Sequence, residues 1–109
     1  MEVTLRIKPV SVNQCWQGRR FKTPMYKKFE KEMLLIMPKG KLHAAPYRVE
    51  LTFGFSNSTS DIDNPIKPTL DLIQKKYNIN DRDIYEITVT KKVVKKGNEY
   101  IYYKINSTF

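Results

Sequence analysis

The sequence predicts one α+β domain with a mixed or antiparallel sheet of about four strands and two helices packed on it. Several segments alternate apolar and polar residues with the two-residue period of a strand. In two other segments, the apolar residues recur every three or four positions, as on one face of a helix. The chain has 109 residues, 40% hydrophobic and 12% aromatic, which is enough for a single modest core. We therefore expect a single globular domain over residues 1–109.

The first strand is predicted over residues 2–8, where apolar and polar side chains alternate until Pro9. Residues 9–22 are expected to form a loop. This loop carries Trp16 and Phe21 among cationic residues, a combination that can stack on bases and hold phosphates. The alternative interpretation is that both aromatic rings close the edge of the core.

The first helix is predicted to begin with Thr23 as N-cap and Pro24 at the first helical position, and to stop before Pro38. Its apolar stripe is expected to be Met25, Phe29, Met33 and Ile36. Residues 47–55 then alternate strictly, which makes them the clearest strand of the chain.

The second helix is predicted near residues 66–77, with Asn64 as N-cap and Pro65 at the first helical position. Pro68 complicates its first turn, because a proline inside a helix removes a backbone hydrogen bond. Lys67 and Asp71 are four residues apart and are expected to share one face of this helix.

Two strands are predicted at the C-terminal end of the chain, over residues 84–95 and 100–105. The turn signal at residues 96–99 lies between them, so we expect the two strands to form a β-hairpin. Four lysines near the turn are expected either to protect an edge strand from aggregation or to contact phosphates. They are Lys91, Lys92, Lys95 and Lys96.

The net charge of +9 indicates a polyanionic partner, because a basic surface attracts phosphates and releases their counterions. Charge alone does not choose between DNA, RNA and anionic lipid. The single cysteine, Cys15, cannot form an internal disulfide, and we expect it to be a structural residue in a reducing compartment. No apolar run is long enough to span a bilayer, and the N-terminus lacks the apolar core of a signal peptide. We expect a cytoplasmic protein that does not enter a membrane.

Five of the eleven acidic residues of this basic chain gather between the second predicted strand and the third. Asp61 and Asp63 are predicted to lie in an extended segment, which would place both carboxylates on the same side. Two carboxylates held that close repel each other unless a cation lies between them. Carboxylates, water and substrate phosphates are the usual ligands of Mg²⁺. The segment therefore predicts a magnesium site and phosphate chemistry.

The same residues resemble those of the RusA-type Holliday junction resolvases, small Mg²⁺-dependent endonucleases often carried by phages and prophages. The resemblance rests on Asp61-x-Asp63-Asn64-x-x-Lys67-x-x-x-Asp71 and on Asp81 ahead of a strand-like segment. A weaker match is Pro9-x-Ser11-x-Asn13 near the start of the chain. The motif covers about two dozen residues, and the order of elements fits over nearly the whole chain. The family usually has two adjacent aspartates where this chain has Asn80-Asp81.

The resemblance implies that this single domain is a homodimeric endonuclease that nicks two strands of a four-way DNA junction symmetrically. Asp61, Asp63 and Asp81 would bind one or two Mg²⁺ ions per subunit, with Mn²⁺ as a substitute. Lys67 would stabilise charge on the phosphate or orient the attacking water. Asp71 would hold Lys67 or a metal-bound water, while Asp83 is the alternative third ligand. Asn64 either positions the site or only caps the helix. The predicted DNA-binding residues are Arg19, Arg20, Lys22, Lys27, Lys67, Lys75 and Lys76.

The three carboxylates are expected to meet at one end of the sheet. Two other functions remain open from the sequence: a non-catalytic basic module that binds nucleic acid, and a metal-dependent nuclease for other branched or single-stranded DNA. In the first of these, the acids merely surround the start of a helix.

Overall fold

The computed structural model describes residues 1–11, 13, 15–17 and 21–107. It is an α+β fold with a four-stranded mixed sheet and two helices, which confirms the predicted fold class. The elements in chain order are β1 Glu2–Leu5, β2 Trp16–Gln17, β3 Phe21–Lys22, α1 Pro24–Ile36, β4 Tyr47–Phe55, α2 Ile66–Tyr77, a short 3₁₀ turn Asp81–Asp83, β5 Ile84–Val93 and β6 Tyr100–Asn106.

The strand order across the sheet is β1-β6-β4-β5. β6 pairs antiparallel with both β1 and β4, whereas β5 pairs parallel with β4. The predicted β5–β6 hairpin is therefore wrong, because β4 lies between these two strands. β5 ends with Val93 beside Phe55, and β6 begins with Tyr100 beside Gly54 on the other side of β4. The turn between them thus passes over the end of β4.

β4 takes this inner position because its alternating face is the most apolar of the chain. Val49 and Phe53 are completely buried, and Leu51 is nearly so. Both helices contribute to the same core as this face of the sheet. Arg48, Glu50 and Thr52, which alternate with the core residues, remain partly exposed on the opposite face.

The start of α1 is as predicted: the Thr23 side chain accepts a hydrogen bond from the Tyr26 amide at 3.1 Å, and Pro24 occupies the first turn. Of the four residues predicted for its buried stripe, Phe29 and Met33 are buried and the other two are not. Met25 and Ile36 are 53% and 45% exposed. The core side chains are Tyr26, Phe29 and Met33, followed by Met37 just beyond the helix.

α2 begins one residue later than predicted, with Pro65 rather than Asn64 in the N-cap position. Pro68 lies in the first turn of the helix, where backbone amides have no acceptor within the helix. It therefore costs no helical hydrogen bond, contrary to the sequence interpretation. Asn78 ends the helix in the left-handed conformation, with φ of 54°.

The predicted loop between β1 and α1 contains a short antiparallel ribbon, in which Trp16 pairs with Lys22 and Gln17 with Phe21. The Thr23 amide donates to the Cys15 carbonyl at 2.8 Å and ties the ribbon to the start of α1. Cys15 is fully buried, as expected of a structural residue, and its thiol donates to the Ser11 carbonyl. Burial, together with the charge of Asp71, raises the pKa of that thiol.

Candidate functional site

A polar cleft of about 300 Å³ opens at the end of the sheet where β4 finishes. Pro9 and Ser11 line it from the segment after β1, and Asp61 and Asn64 line it from the segment before α2. These two segments lie about fifty residues apart in the sequence. The fold therefore joins two of the three parts of the sequence that carry the resemblance to the resolvases. The other lining residues are Lys8, Phe55, Ser56, Asn57, Ser60, Pro65 and Glu99.

Asp61 is oriented by its neighbour Asn64, whose Nδ2 donates to Asp61 Oδ2 at 3.3 Å. Asn64 makes this contact instead of capping α2, which has no side-chain cap. Asp63 is exposed, and its carbonyl accepts the Ile66 amide at 3.2 Å as the chain turns into α2. The segment is a turn and not the extended chain that was predicted. The argument that Asp61 and Asp63 share one side of a strand therefore does not hold.

The loop that leads to Asp61 is fixed to the sheet by Lys91 of β5. Lys91 Nζ donates to the carbonyls of Ser58 at 2.8 Å and Ser60 at 2.5 Å. Within the loop, the Asn57 side chain accepts from the backbone and hydroxyl groups of Thr59 and Ser60. A lysine predicted to guard an edge or contact phosphate is thus used to position the acidic segment.

Glu99 is a second carboxylate in the cleft, which the sequence reasoning placed only in a turn. Hydrogen bonds hold the pKa of this carboxyl below its usual range: its own backbone amide first, then the Ser56 hydroxyl and the Gly97 amide, with the charge of Lys8 added. The distance from the Gly97 amide to Glu99 Oε1 is 2.7 Å. No local pattern identifies this residue, because it reaches the cleft only when β6 pairs with β4.

Lys67 and Asp71 form the expected ion pair along α2, with 3.6 Å between Nζ and Oδ1. Lys67 is largely exposed, while Asp71 is partly buried and close enough to Cys15 and Tyr26 to raise the pKa of both groups. For both groups burial is the larger cause.

Asp81 does not join Asp61 and Asp63 within one chain. It lies in the 3₁₀ turn immediately before β5, and Asp83 ends that turn. Ile84 pairs with Tyr47 at the beginning of β4, whereas Asp61 follows the far end of the same strand. The length of β4 separates the two ends by roughly 25 Å. The expectation that three carboxylates meet at one end of the sheet is not met.

The predicted third ligand is therefore missing from the cleft in a single chain. Among the residues described, no group of three or more histidine, cysteine, aspartate or glutamate side chains is close enough to hold a metal ion. Asp61 lines the cleft, and Asp63 follows two residues later in the same exposed segment. Carboxylates suit Mg²⁺ when water and substrate phosphate complete its shell. A site with three protein carboxylates needs a further residue from elsewhere.

Several predicted DNA-binding lysines have partners inside the molecule. Glu30 pairs with Lys22 at 2.9 Å and with Lys75 at 3.9 Å. Lys76 Nζ donates to the Leu34 carbonyl at 3.0 Å and links the two helices. Lys27 and Lys67 are exposed. Arg19 and Arg20 lie outside the described residues.

Two aromatic side chains stand out on the β2–β3 ribbon. Phe21 is 72% exposed and Trp16 is 40% exposed, with the Trp16 ring edge-on to the Tyr26 ring. The interpretation that both aromatic rings close the edge of the core is therefore wrong for Phe21. An exposed ring beside cationic residues is a surface on which a base can stack.

Comparison with protein-family models finds no match for this chain, and comparison with curated proteins finds none either. The fold and the cleft must therefore carry the functional argument. In the part of the chain described by the structure, no helix is both long and apolar enough to span a bilayer.

Proposed function

We propose that this protein is a Mg²⁺-dependent endonuclease that resolves four-way DNA junctions by two symmetric phosphodiester hydrolyses. The observation that carries the proposal is the cleft shared by Pro9, Ser11, Asp61 and Asn64. Pro9 and Ser11 belong to the weaker part of the resolvase-like pattern, and the other two belong to its stronger part.

Asp61 and Asp63 are the residues that would hold the cation, and Mn²⁺ is expected to replace Mg²⁺. Bound Mg²⁺ supplies charge neutralisation on a phosphate oxygen and a more acidic water. Asn64 orients the Asp61 carboxylate through its hydrogen bond. Lys67 brings positive charge to the phosphate, and Asp71 limits the positions that Lys67 can take.

The net charge of +9 supports a nucleic-acid substrate, because the acidic cleft is a local exception on a basic molecule. Phe21 and Trp16 offer stacking surfaces on the ribbon that also carries Lys22. A homodimer with one site per subunit matches the two-fold symmetry of a four-way junction. Cytoplasmic DNA recombination or repair, in a host or a prophage, is the setting that this chemistry fits.

A second candidate is a basic module that binds nucleic acid without cutting it. The separation of Asp81 from the cleft favours this candidate, since a single chain then lacks the third carboxylate. A metal-dependent nuclease for flaps or single strands uses the same residues on another substrate.

Purified protein incubated with labelled four-way junction, flap, single-stranded and linear duplex DNA separates these functions. We expect paired nicks in the junction with Mg²⁺ or Mn²⁺ and no cleavage in EDTA. Binding without cleavage under every metal condition would support the basic module. Equal cleavage of linear duplex or single strands would remove the junction specificity.

A further inference from the structure

The sheet has an open face on the side away from the core. In the part of the chain that the structure describes, both helices contribute to the core on the other side. The open face is formed by the residues that alternate with the core in each strand, such as Thr52 of β4 and Tyr102 of β6. A pocket of about 470 Å³ lies on this face. The described residues that line it are Thr4, Arg6, Thr52, Lys92, Tyr100 and Tyr102.

Strand register places four residues of the open face in one row across the sheet. Gly54 of β4 pairs with Tyr100 on one side and with Lys92 on the other. β1 ends with Leu5 opposite Ile101, so Arg6 follows beside Tyr100. We call these four residues the cationic row: Arg6, Tyr100, Gly54 and Lys92. The row has a positive side chain at each end and an aromatic ring between them.

Gly54 makes room for the aromatic ring of the row. A Cβ on this glycine would overlap carbons of the Tyr100 ring, so a larger residue would displace the ring. Tyr100 remains partly exposed and lines the pocket. An accessible aromatic ring is a surface on which a nucleic-acid base can stack, and neighbouring cations can hold the phosphates of the same strand.

The two cations of the row keep their charge for a ligand. Arg6 and Lys92 are exposed, and neither forms an ion pair with a carboxylate in the described part of the chain. Each acid on the open face, in contrast, has a donor beside it. The pairs are Glu2 with Tyr102, Glu50 with Lys104 and Glu86 with Arg48. The end of the open face that holds the row is therefore positive, and it is complementary to phosphate.

The pocket and the acidic cleft meet at the same end of the sheet. Arg6 lines the pocket, and Lys8 lines the cleft two residues later. In the same way, Glu99 of the cleft directly precedes Tyr100 of the pocket. An extended ligand can therefore contact both sites.

We propose that the cationic row binds an unpaired DNA strand, with a base stacked on Tyr100 and the phosphates on the two sides of that base held by Arg6 and Lys92. A strand suits the row because phosphates flank each of its internal bases, whereas a mononucleotide has phosphate on one side only. β1 and β5 are three strand spacings apart, roughly 14 Å, so the cations approach the ligand from opposite sides. The choice of DNA over RNA rests on the proposed function of the neighbouring cleft.

Charge removal tests the two ends of the row in EDTA, where binding is measured without cleavage. The probe is a fluorescent oligothymidylate of about 15 nucleotides, followed by fluorescence anisotropy. Arg6→Gln and Lys92→Gln should each weaken binding at least about threefold and reduce the slope of log affinity against log salt by about 0.7. Lys31→Gln is the matched control, because it removes the same charge from an exposed position on α1. Equal effects of all three substitutions would show that only net charge acts, and would overturn the site.

Substitution of the ring tests stacking. Tyr100→Ala should weaken binding of the oligonucleotide about fivefold or more, while Tyr100→Phe should stay within about twofold of the wild type because it keeps the ring. Affinity for a linear duplex should change less than about twofold in both variants, since paired bases offer no free face to the ring. Tyr85→Ala is the control, since it removes a 69% exposed ring from β5. A Tyr100→Ala variant that is folded by circular dichroism and binds like wild type would overturn the stacking.

Photo-crosslinking locates the strand on wild-type protein, so it does not depend on the folding of any variant. 5-Iododeoxyuridine in the same oligonucleotide should form its adduct with Tyr100, identified by mass spectrometry of the digested protein. Adducts confined to Trp16 and Phe21 would place the strand on the β2–β3 ribbon and overturn the proposal.

Competition on wild-type protein tests the class of ligand. Unlabelled oligothymidylate should displace the probe at a concentration at least about a hundredfold lower than thymidine 5′-monophosphate, because a strand contacts both cations. Equal competition by the mononucleotide would overturn the strand, and stronger competition by oligouridylate RNA would overturn the choice of DNA. If wild-type protein does not cut junctions, the proposed function fails, while binding in EDTA still decides this inference. Junction cleavage without a strand on Tyr100 would reject this inference alone.

Discussion

Asn64 donates a hydrogen bond from Nδ2 to Oδ2 of Asp61 over 3.3 Å, and it does not cap the helix that follows. The order of an acid, an asparagine and a helix start therefore does not mark an N-cap in this chain. Asn64 orients the Asp61 side chain, and α2 begins after Pro65 without a side-chain hydrogen bond at its N-cap.

Alanine substitutions at Asn64 and Thr23 should therefore differ in their effect on stability. Thr23→Ala removes a true N-cap and should lower the free energy of unfolding by about 1 kcal/mol. Asn64→Ala should change it by less than about 0.5 kcal/mol, as expected for a partly exposed side chain, while reducing metal-dependent cleavage. Urea unfolding measures both values, and a loss at Asn64 equal to that at Thr23 would restore the capping role.

A buried pair of tyrosines should make the fold sensitive to alkaline pH. The Tyr103 and Tyr77 hydroxyls are hydrogen-bonded, and Tyr77 Oη donates to the Pro38 carbonyl at 3.0 Å. Burial, and then donation to Tyr77, raise the pKa of Tyr103. The folded state thus keeps the proton more tightly than the unfolded chain, so stability is full below about pH 10 and falls as pH rises above it.

Tyr103→Phe should cost about 1 kcal/mol at neutral pH and should reduce the stability loss above pH 10. Tyr85→Phe is the matched control, since Tyr85 is 69% exposed on β5. Urea unfolding across pH 7 to 11 measures both effects. Equal costs for the two variants would show that the buried hydroxyl pair adds nothing.

Much of the fold can be predicted from local sequence patterns, but the strands that pair with β5 and β6 cannot. The strand at residues 47–55 and the cap at Thr23 follow from alternation and from residue type, which act within a few residues. The turn before β6 contains a hairpin signal, yet the more apolar β4 takes the place between the two strands. Strand pairing is decided by total burial over the whole sheet, so it cannot be predicted from the sequence of one turn.

The same limit applies to the candidate site. Asp61, Asn64 and the Lys67–Asp71 pair could be selected by spacing, because the structure places each of them within one turn or helix. Asp81 was assigned to the same site because the sequence does not show that β5 runs parallel to β4. Glu99 and Lys91 were missed as site residues for the corresponding reason: both reach the acidic segment through the tertiary fold.

Lys91 is expected to control the mobility of the acidic segment. Lys91→Met keeps the aliphatic stem but removes the donor to the Ser58 and Ser60 carbonyls. Amide hydrogen exchange of residues 56–64 should become faster, while exchange in β4 stays unchanged. Lys95→Met is the control because residue 95 lies beyond β5. Unchanged exchange in the Lys91 variant would show that the loop is held by its own Asn57 contacts.

Phe21 is expected to contribute to DNA binding and not to folding. Phe21→Ala removes a 72% exposed ring from the β2–β3 ribbon, so junction affinity should fall by about fivefold or more if a base stacks there. Leu35→Ala is the matched control, since Leu35 is 75% exposed on α1. Fluorescence anisotropy measures both affinities and thermal unfolding monitors the fold. Equal affinities for the two variants would argue against stacking on the ribbon.

The most direct measurement for the whole account is single-turnover cleavage of a four-way junction by wild-type protein and by Asp63→Asn in Mg²⁺, with binding measured on the same samples. Removal of the charge should leave junction affinity within about threefold and reduce the cleavage rate by at least about a hundredfold, as expected when a carboxylate that holds the catalytic metal is lost. Near-normal cleavage by Asp63→Asn would contradict the assignment of Asp63 as a ligand of the catalytic metal.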